Sequence, residues 1–224
     1  MAYIKSKTDP KLGKEIHDYL VKMGVETPMV ESVLSSNEKI DIIKEKFQDI
    51  MLVLGLDLND DSLEETPMRV AKMMVNEIFW GLDIESFPKC TTIENKMDYN
   101  ELVVERSVNV QSNCEHHFVV IDGLASVGYI PNKKILGLSK INRIVEYFAK
   151  RPQVQERLTE QVFYALQYIL ETDNIGVVID ARHYCVRSRG VEDVNSSTIT
   201  SKLGGCFKND PSARTEFFNI INKH

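Results

Sequence analysis

The first ninety-five residues keep a helical rhythm. Between about Lys11 and Met23, Ile16, Tyr19, Leu20 and Met23 recur three and four positions apart, and Gly24 supplies a stop. A looser stretch through Pro28 and Ser35-Ser36-Asn37 precedes a second helix, with Asn37 as its expected cap. Ile40, Ile43, Phe47, Ile50, Met51 and Leu54 carry its apolar positions as far as Gly55. Thr66-Pro67 reads as a cap followed by proline at the first helical position. Val70, Met74 and Ile78 align behind it, and Gly81 closes that helix. From about residue 100 the period shortens. Leu102 to Val110 reads as a valine-rich strand, and 118–121 and 125–130 as two strands turning at Asp122-Gly123. Helical spacing returns over Ser139–Ala149 and again from Pro152 through Leu158, Val162, Ala165 and Ile169. Ile175–Arg187 reads as a long strand, Val191–Leu203 as its partner, and Ala213–Asn222 as a closing helix. The expected class is α+β, with a helical region over 1–95 and a sheet-forming domain over 96–224.

Composition narrows the partners. Over 224 residues, 43% are apolar and 27% charged, which suits one sizeable folded unit. A net charge of −6 argues against a general nucleic-acid binder, whose affinity comes from excess Lys and Arg. No apolar run is long enough to span a bilayer, and the stretch after Met1 lacks the apolar core of a signal peptide. No membrane partner and a cytoplasmic location are expected. In that compartment clustered cysteines point to metal or catalysis more than to a disulfide, although a Cys114–Cys185 disulfide remains an alternative.

The densest chemistry lies at Cys114-Glu115-His116-His117, answered downstream by His183-Tyr184-Cys185. Thiolate and imidazole are zinc donors. Cys114 and His117 have the spacing of a tight turn, and on a strand His183 and Cys185 would share a face. Cys114, His117 and Cys185 would make three ligands and leave a fourth position for water; His116 and His183 would then stand free as proton carriers. Spacing alone leaves His116 open as the ligand in place of His117, and leaves open a closed four-ligand site using His183. Cys206 is a further candidate, with a buried structural thiol as its expected role.

Two more stretches bear charge. Ser139, Lys140 and Arg143 start a predicted helix, where backbone N–H groups favour an anion and basic side chains oppose the dipole; phosphate would reconcile them. Arg187 and Arg189 follow the second cysteine. Gln155 and Glu156 lie near the start of the next helix, where dipole stabilisation alone accounts for Glu156.

Taken together, Cys114 to Phe118, Gly137 to Arg143, Arg151 to Leu158, His183 to Val186, Glu65 to Met73 and Leu203-Gly204-Gly205 resemble the GTP cyclohydrolase I family in motif, order and spacing. The resemblance covers roughly residues 40–220. It implies the tunnelling fold, an antiparallel sheet with helices layered on one side. It implies conversion of GTP and water to 7,8-dihydroneopterin triphosphate and formate, the entry to folate and other pterins. It assigns Zn2+ to Cys114, His117 and Cys185, with a zinc-bound hydroxide attacking guanine C8. His183 would protonate N7, and His116 would assist proton transfer. Gln155 and Glu156 would read the guanine edge, and Ser139, Lys140, Arg143 and Arg189 the triphosphate and ribose, with Arg69 entering from a neighbouring subunit. It further implies a homodecamer of two stacked pentamers with active sites between subunits. Other readings are another tunnelling-fold enzyme of pterin or deazapurine chemistry, which fits the Cys–His–Cys set poorly, and a non-catalytic zinc-stabilised assembly protein, which predicts four protein ligands.

Overall fold

The computed structural model describes residues 7–30 and 32–222. The first helix, α1 (Pro10–Lys22), is capped by Asp9, whose carboxylate accepts from Leu12 N at 3.1 Å. Its Ile16 and Leu20 belong to the main core. The second, α2 (Ser36–Val53), starts one residue before the expected cap. Ser35 and Glu38 close a reciprocal capping box, so Ser35 takes the place expected of Asn37. This helix buries only Ile40 and Met51, leaving Ile42, Ile50, Leu52 and Val53 exposed. Helix α3 (Thr66–Met73) runs straight into a π-helical turn, Met74–Ile78.

Strand β1 (Thr92–Glu94) is followed by β2 (Val103–Cys114), β3 (Val120–Tyr129) and β4 (Lys134–Leu136). Helix α4 (Leu138–Ala149), the two-residue β5 (Pro152–Gln153) and α5 (Gln155–Leu170) come next. Strand β6 (Ile175–His183) gives way to a single helical turn, α6 (Tyr184–Arg187). Strand β7 (Thr198–Leu203) and helices α7 (Gly205–Asn209) and α8 (Pro211–Ile221) finish the described chain. The main sheet has the order β5-β2-β3-β6-β7, antiparallel except for β5 on β2, and β1 and β4 form a separate pair.

Alternation along the strands sets two faces. Val108, Val110 and Cys114 of β2, Ile121, Ala125, Val127 and Tyr129 of β3, and Ile175, Val177, Ile179 and Ala181 of β6 face the helix layer. They share one core with Ile141, Ile144 and Val145 of α4 and Leu158 and Val162 of α5. The in-between positions of β3 and β6 look the other way. There Gly128 and Gly176 leave room for Phe217 of α8, which stacks on Phe207.

Two expectations are corrected. Asp122-Gly123 is not a turn but the interior of β3, paired with Val110 on one side and Ala181 on the other. A Cβ on Gly123 would lie 2.2 Å from Asp180 O, so glycine here permits close strand approach. The turn between β2 and β3 is instead residues 115–119, the metal-donor motif itself. The strand expected to reach Arg187 ends at His183, which places Cys185 on the α6 turn and not on a shared strand face with His183.

Candidate metal centre and its surroundings

Backbone pairing builds the β2–β3 loop. Phe118 N donates to Cys114 O and Cys114 N to Val119 O, each at 2.8 Å, which closes the turn. Phe118 adopts φ 53°, a left-handed conformation unusual for an aromatic residue, and Asn113 Nδ2 holds its carbonyl at 3.1 Å. Glu115 N donates to Gln153 O at 3.0 Å, and the Glu115 carboxylate pairs with Arg157 in the first turn of α5. The loop is thereby tied to the N-terminus of α5 by both backbone and side chain.

Register brings the other half. Ile121 pairs with His183, so the end of β6 lies one strand away from the end of β2. The donor atoms of Cys114, His117 and Cys185 lie within 4.8 Å of one another, the one group of three or more His, Cys, Asp or Glu donors of this kind among the described residues. All four cysteines are free thiols, so Cys114 and Cys185 are near neighbours without a disulfide. Two thiols and an imidazole at this spacing fit a soft or borderline divalent metal. Burial and the neighbouring Cys114 thiol push the Cys185 thiol up.

The remaining candidates divide into those that meet this group and those that stand apart. His116 is exposed, with Nδ1 3.7 Å from Cys114 Sγ and Nε2 3.8 Å from Glu115 Oε1. Arg189 donates to His117 Nε2 at 2.8 Å. Arg187 lies over the Tyr184 ring. His183 Nε2 sits 2.7 Å from Gln155 Oε1. Burial holds the His183 imidazole below its ordinary range, and the nearby Glu156 carboxylate partly offsets this. Glu156 itself is exposed at the start of α5.

Lys140 and Arg143 lie on the first turns of α4, close enough to Cys90 for their charge to act on its thiol. Gly137, not Ser139, caps that helix. Among the described residues no hydrogen bond or ion pair joins Ser139, Lys140, Arg143 or Arg69 to the Cys–His–Cys group. Sequence reasoning gave no role to Arg157 or to the carboxylate of Glu115. Opposite charges in two neighbouring motifs were the available signal.

Antiparallel sheet, helix layer and strand-end Cys–His–Cys cluster define an α+β protein of the tunnelling-fold class with a metal-competent centre. More narrowly, the chain belongs to the GTP cyclohydrolase I family, whose model matches residues 43–222. It is 52% identical over 210 residues to GTP cyclohydrolase 1 of Mannheimia succiniciproducens, covering 94% of this chain and 96% of that one. It is 56% identical over 200 residues to the Shewanella putrefaciens protein of the same name (89% and 94%) and 55% identical over 206 residues to that of Vibrio cholerae (92% and 95%).

Proposed function

We propose that the chain converts GTP and water to 7,8-dihydroneopterin triphosphate and formate, and that the Cys114–His117–Cys185 group holds Zn2+ for this purpose. The observation that carries the reading is the meeting of three soft donors from two distant segments beside a half-buried histidine and an exposed carboxylate. Zinc bound there would supply Lewis acidity and a water of near-neutral pKa for hydrolysis at guanine C8.

The chain's own groups have distinct parts. His183 protonates guanine N7: its partly desolvated ring favours the neutral form, which would take up the proton released as water adds at C8 and pass it to N7. His116, exposed beside Cys114, is the second proton carrier. Glu156 accepts from the guanine N–H edge, a discrimination that strengthens as water is excluded. Arg189, already beside His117, stays close to the reacting base and holds phosphate, together with Ser139, Lys140 and Arg143.

Those last three lie in the first turns of α4 and, among the described residues, share no hydrogen bond or ion pair with the donor group, which favours active sites assembled between subunits, with Arg69 entering from a neighbour. The open edge of β7 and the exposed apolar positions of α2 suit a homo-oligomer, read as two stacked pentamers. No helix of the described chain is long and apolar enough to cross a membrane; a cytoplasmic location belongs to the same proposal. We keep the division into a helical region over 1–95 and a catalytic domain over 96–224 as part of this proposal.

The test uses metal-replete protein with GTP. Formate should appear, and oxidation with phosphatase treatment should yield fluorescent neopterin. No product from a zinc-loaded oligomer refutes the activity. Cys114→Ser should lose metal and activity together; activity retained without metal refutes the proposed site.

A further inference from the structure

Gln155 is 1% exposed, yet it lies next to Glu156, and its side chain turns inward. Its Nε2 has three acceptors in reach: Ile179 O at 3.0 Å, Thr198 O at 2.8 Å and Thr200 Oγ1 at 3.1 Å. Two of these are backbone carbonyls, which can only accept. The amide therefore cannot be flipped without setting oxygen against oxygen on both β6 and β7.

A second constraint agrees. Thr159 Oγ1 donates to Gln155 O at 2.9 Å and lies 2.7 Å from Thr200 Oγ1. Because the Thr159 hydrogen is committed to a carbonyl, Thr200 must be the donor between the two hydroxyls. Thr200 then has its oxygen free to accept from Gln155 Nε2. The bonds run in one direction around a closed ring, from the Gln155 amide through two threonines to the Gln155 backbone.

With Nε2 of Gln155 fixed as the donor end, Oε1 is the atom that faces His183 Nε2 at 2.7 Å. A carbonyl oxygen has no hydrogen to give, so the hydrogen in that bond belongs to the imidazole. We infer that Gln155 is a positioning residue that holds His183 in its Nε2–H tautomer, so that Nδ1 is the ring atom available to the substrate. Gln155 thus acts through His183, in place of the guanine contact expected from the family resemblance.

This inference rests on the proposed reaction only for what His183 does there; the tautomer itself is a property of the chain without substrate. Magic-angle-spinning 15N spectra of histidine-labelled wild-type protein read it directly, with His183→Asn assigning the signal. At a pH where the ring is neutral, the expected form carries its hydrogen on Nε2 and has a pyridine-type Nδ1; the opposite tautomer overturns the inference. Gln155→Leu supplies the kinetic arm. We expect kcat to fall about 10- to 100-fold while KM for GTP stays within about twofold, as for loss of a group that orients a reacting side chain. A rise in KM with kcat unchanged would return Gln155 to the substrate and overturn it. Failure of wild-type protein to release formate refutes the reaction, whereas an Nδ1–H spectrum refutes the tautomer lock. The spectrum of the wild type decides the matter even if the leucine variant does not fold.

Discussion

Gly123→Ala tests whether strand spacing sets the metal centre. An added Cβ would meet Asp180 O at 2.2 Å and Ala181 Cα at 2.5 Å, all backbone or near-backbone atoms of β6 that cannot swing aside. Ordinary contact begins at 3.4 Å, so β6 must retreat by about 1 Å locally. Overpacking of this kind costs about 1–3 kcal/mol. The consequence for the site is sharper, because β6 carries His183 at its end and leads into Cys185. Metal–ligand distances in a sound site fall within about 0.2 Å of their standard values. The variant should therefore lose at least about tenfold in zinc affinity, read by competition with a chromophoric chelator, alongside a lower urea midpoint. Gly128→Ala is the control: its Cβ meets the Phe217 ring at 2.7 Å on the opposite face and away from the donors. It should cost stability and leave zinc affinity alone. Wild-type zinc affinity in Gly123→Ala, or equal losses in both variants, would refute the claim that β3–β6 spacing sets the donors.

Arg151, 1% exposed, donates to Gly81 O, Tyr147 Oη and Thr27 Oγ1 and pairs with buried Glu26. Arg151→Met should cost about 3–5 kcal/mol by taking the guanidinium from a carboxylate then left with His17 Nδ1, Thr27 N and Gln161 Nε2 as its partners, and adding Glu26→Met should recover part of it; strictly additive losses in chemical denaturation would reject the coupling. Glu115→Gln should weaken zinc binding about tenfold through loss of the Arg157 clasp while moving the unfolding free energy by less than about 1 kcal/mol, and unchanged metal affinity would remove the clasp from the site's support. Burial pushes the Cys90 thiol up to about 12. It therefore keeps its proton at pH 8, where about one molecule in ten thousand is thiolate, and iodoacetamide labelling should rise with pH toward that value. Labelling of Cys90 at pH 8 as fast as a free thiol would contradict this.

Much of the fold was legible because burial alternates on the strands and recurs by turns on the helices. The grouping of Cys114, His117 and Cys185 was legible because few residue types bind soft metals. The misreadings have physical causes. Asp122-Gly123 carries the composition of a hairpin, but the glycine answers a neighbouring strand in contact with it, which sequence order does not display. The sequence carries Cys185 onto a strand because Ile175 to His183 is uninterrupted, and nothing local marks where β6 gives way to a helical turn. Ser35 with Glu38 has the spacing of a capping box, and Asn37 competes with it as a cap two residues on. The inward hydrogen bonds of Gln155 were unreadable in principle. Its partners lie on β6 and β7, twenty-four and forty-three residues along the chain, and only the assembled sheet presents them together.

With Cys114, His117 and Cys185 holding a metal as proposed, the split of the donor set between the β2–β3 loop and the β6–α6 junction also orders events during synthesis. Cys114 and His117 leave the ribosome as neighbours, long before Cys185. Until α4 and α5 have been made and β6 has found β3, the nascent chain offers a metal only two protein ligands, a weak and exchangeable hold. Firm capture waits for the pairing of Ile121 with His183. Metal retention is thus a report that the central strands are in register, and a chain misaligned by one residue, which turns every side chain to the other face, would release its ion.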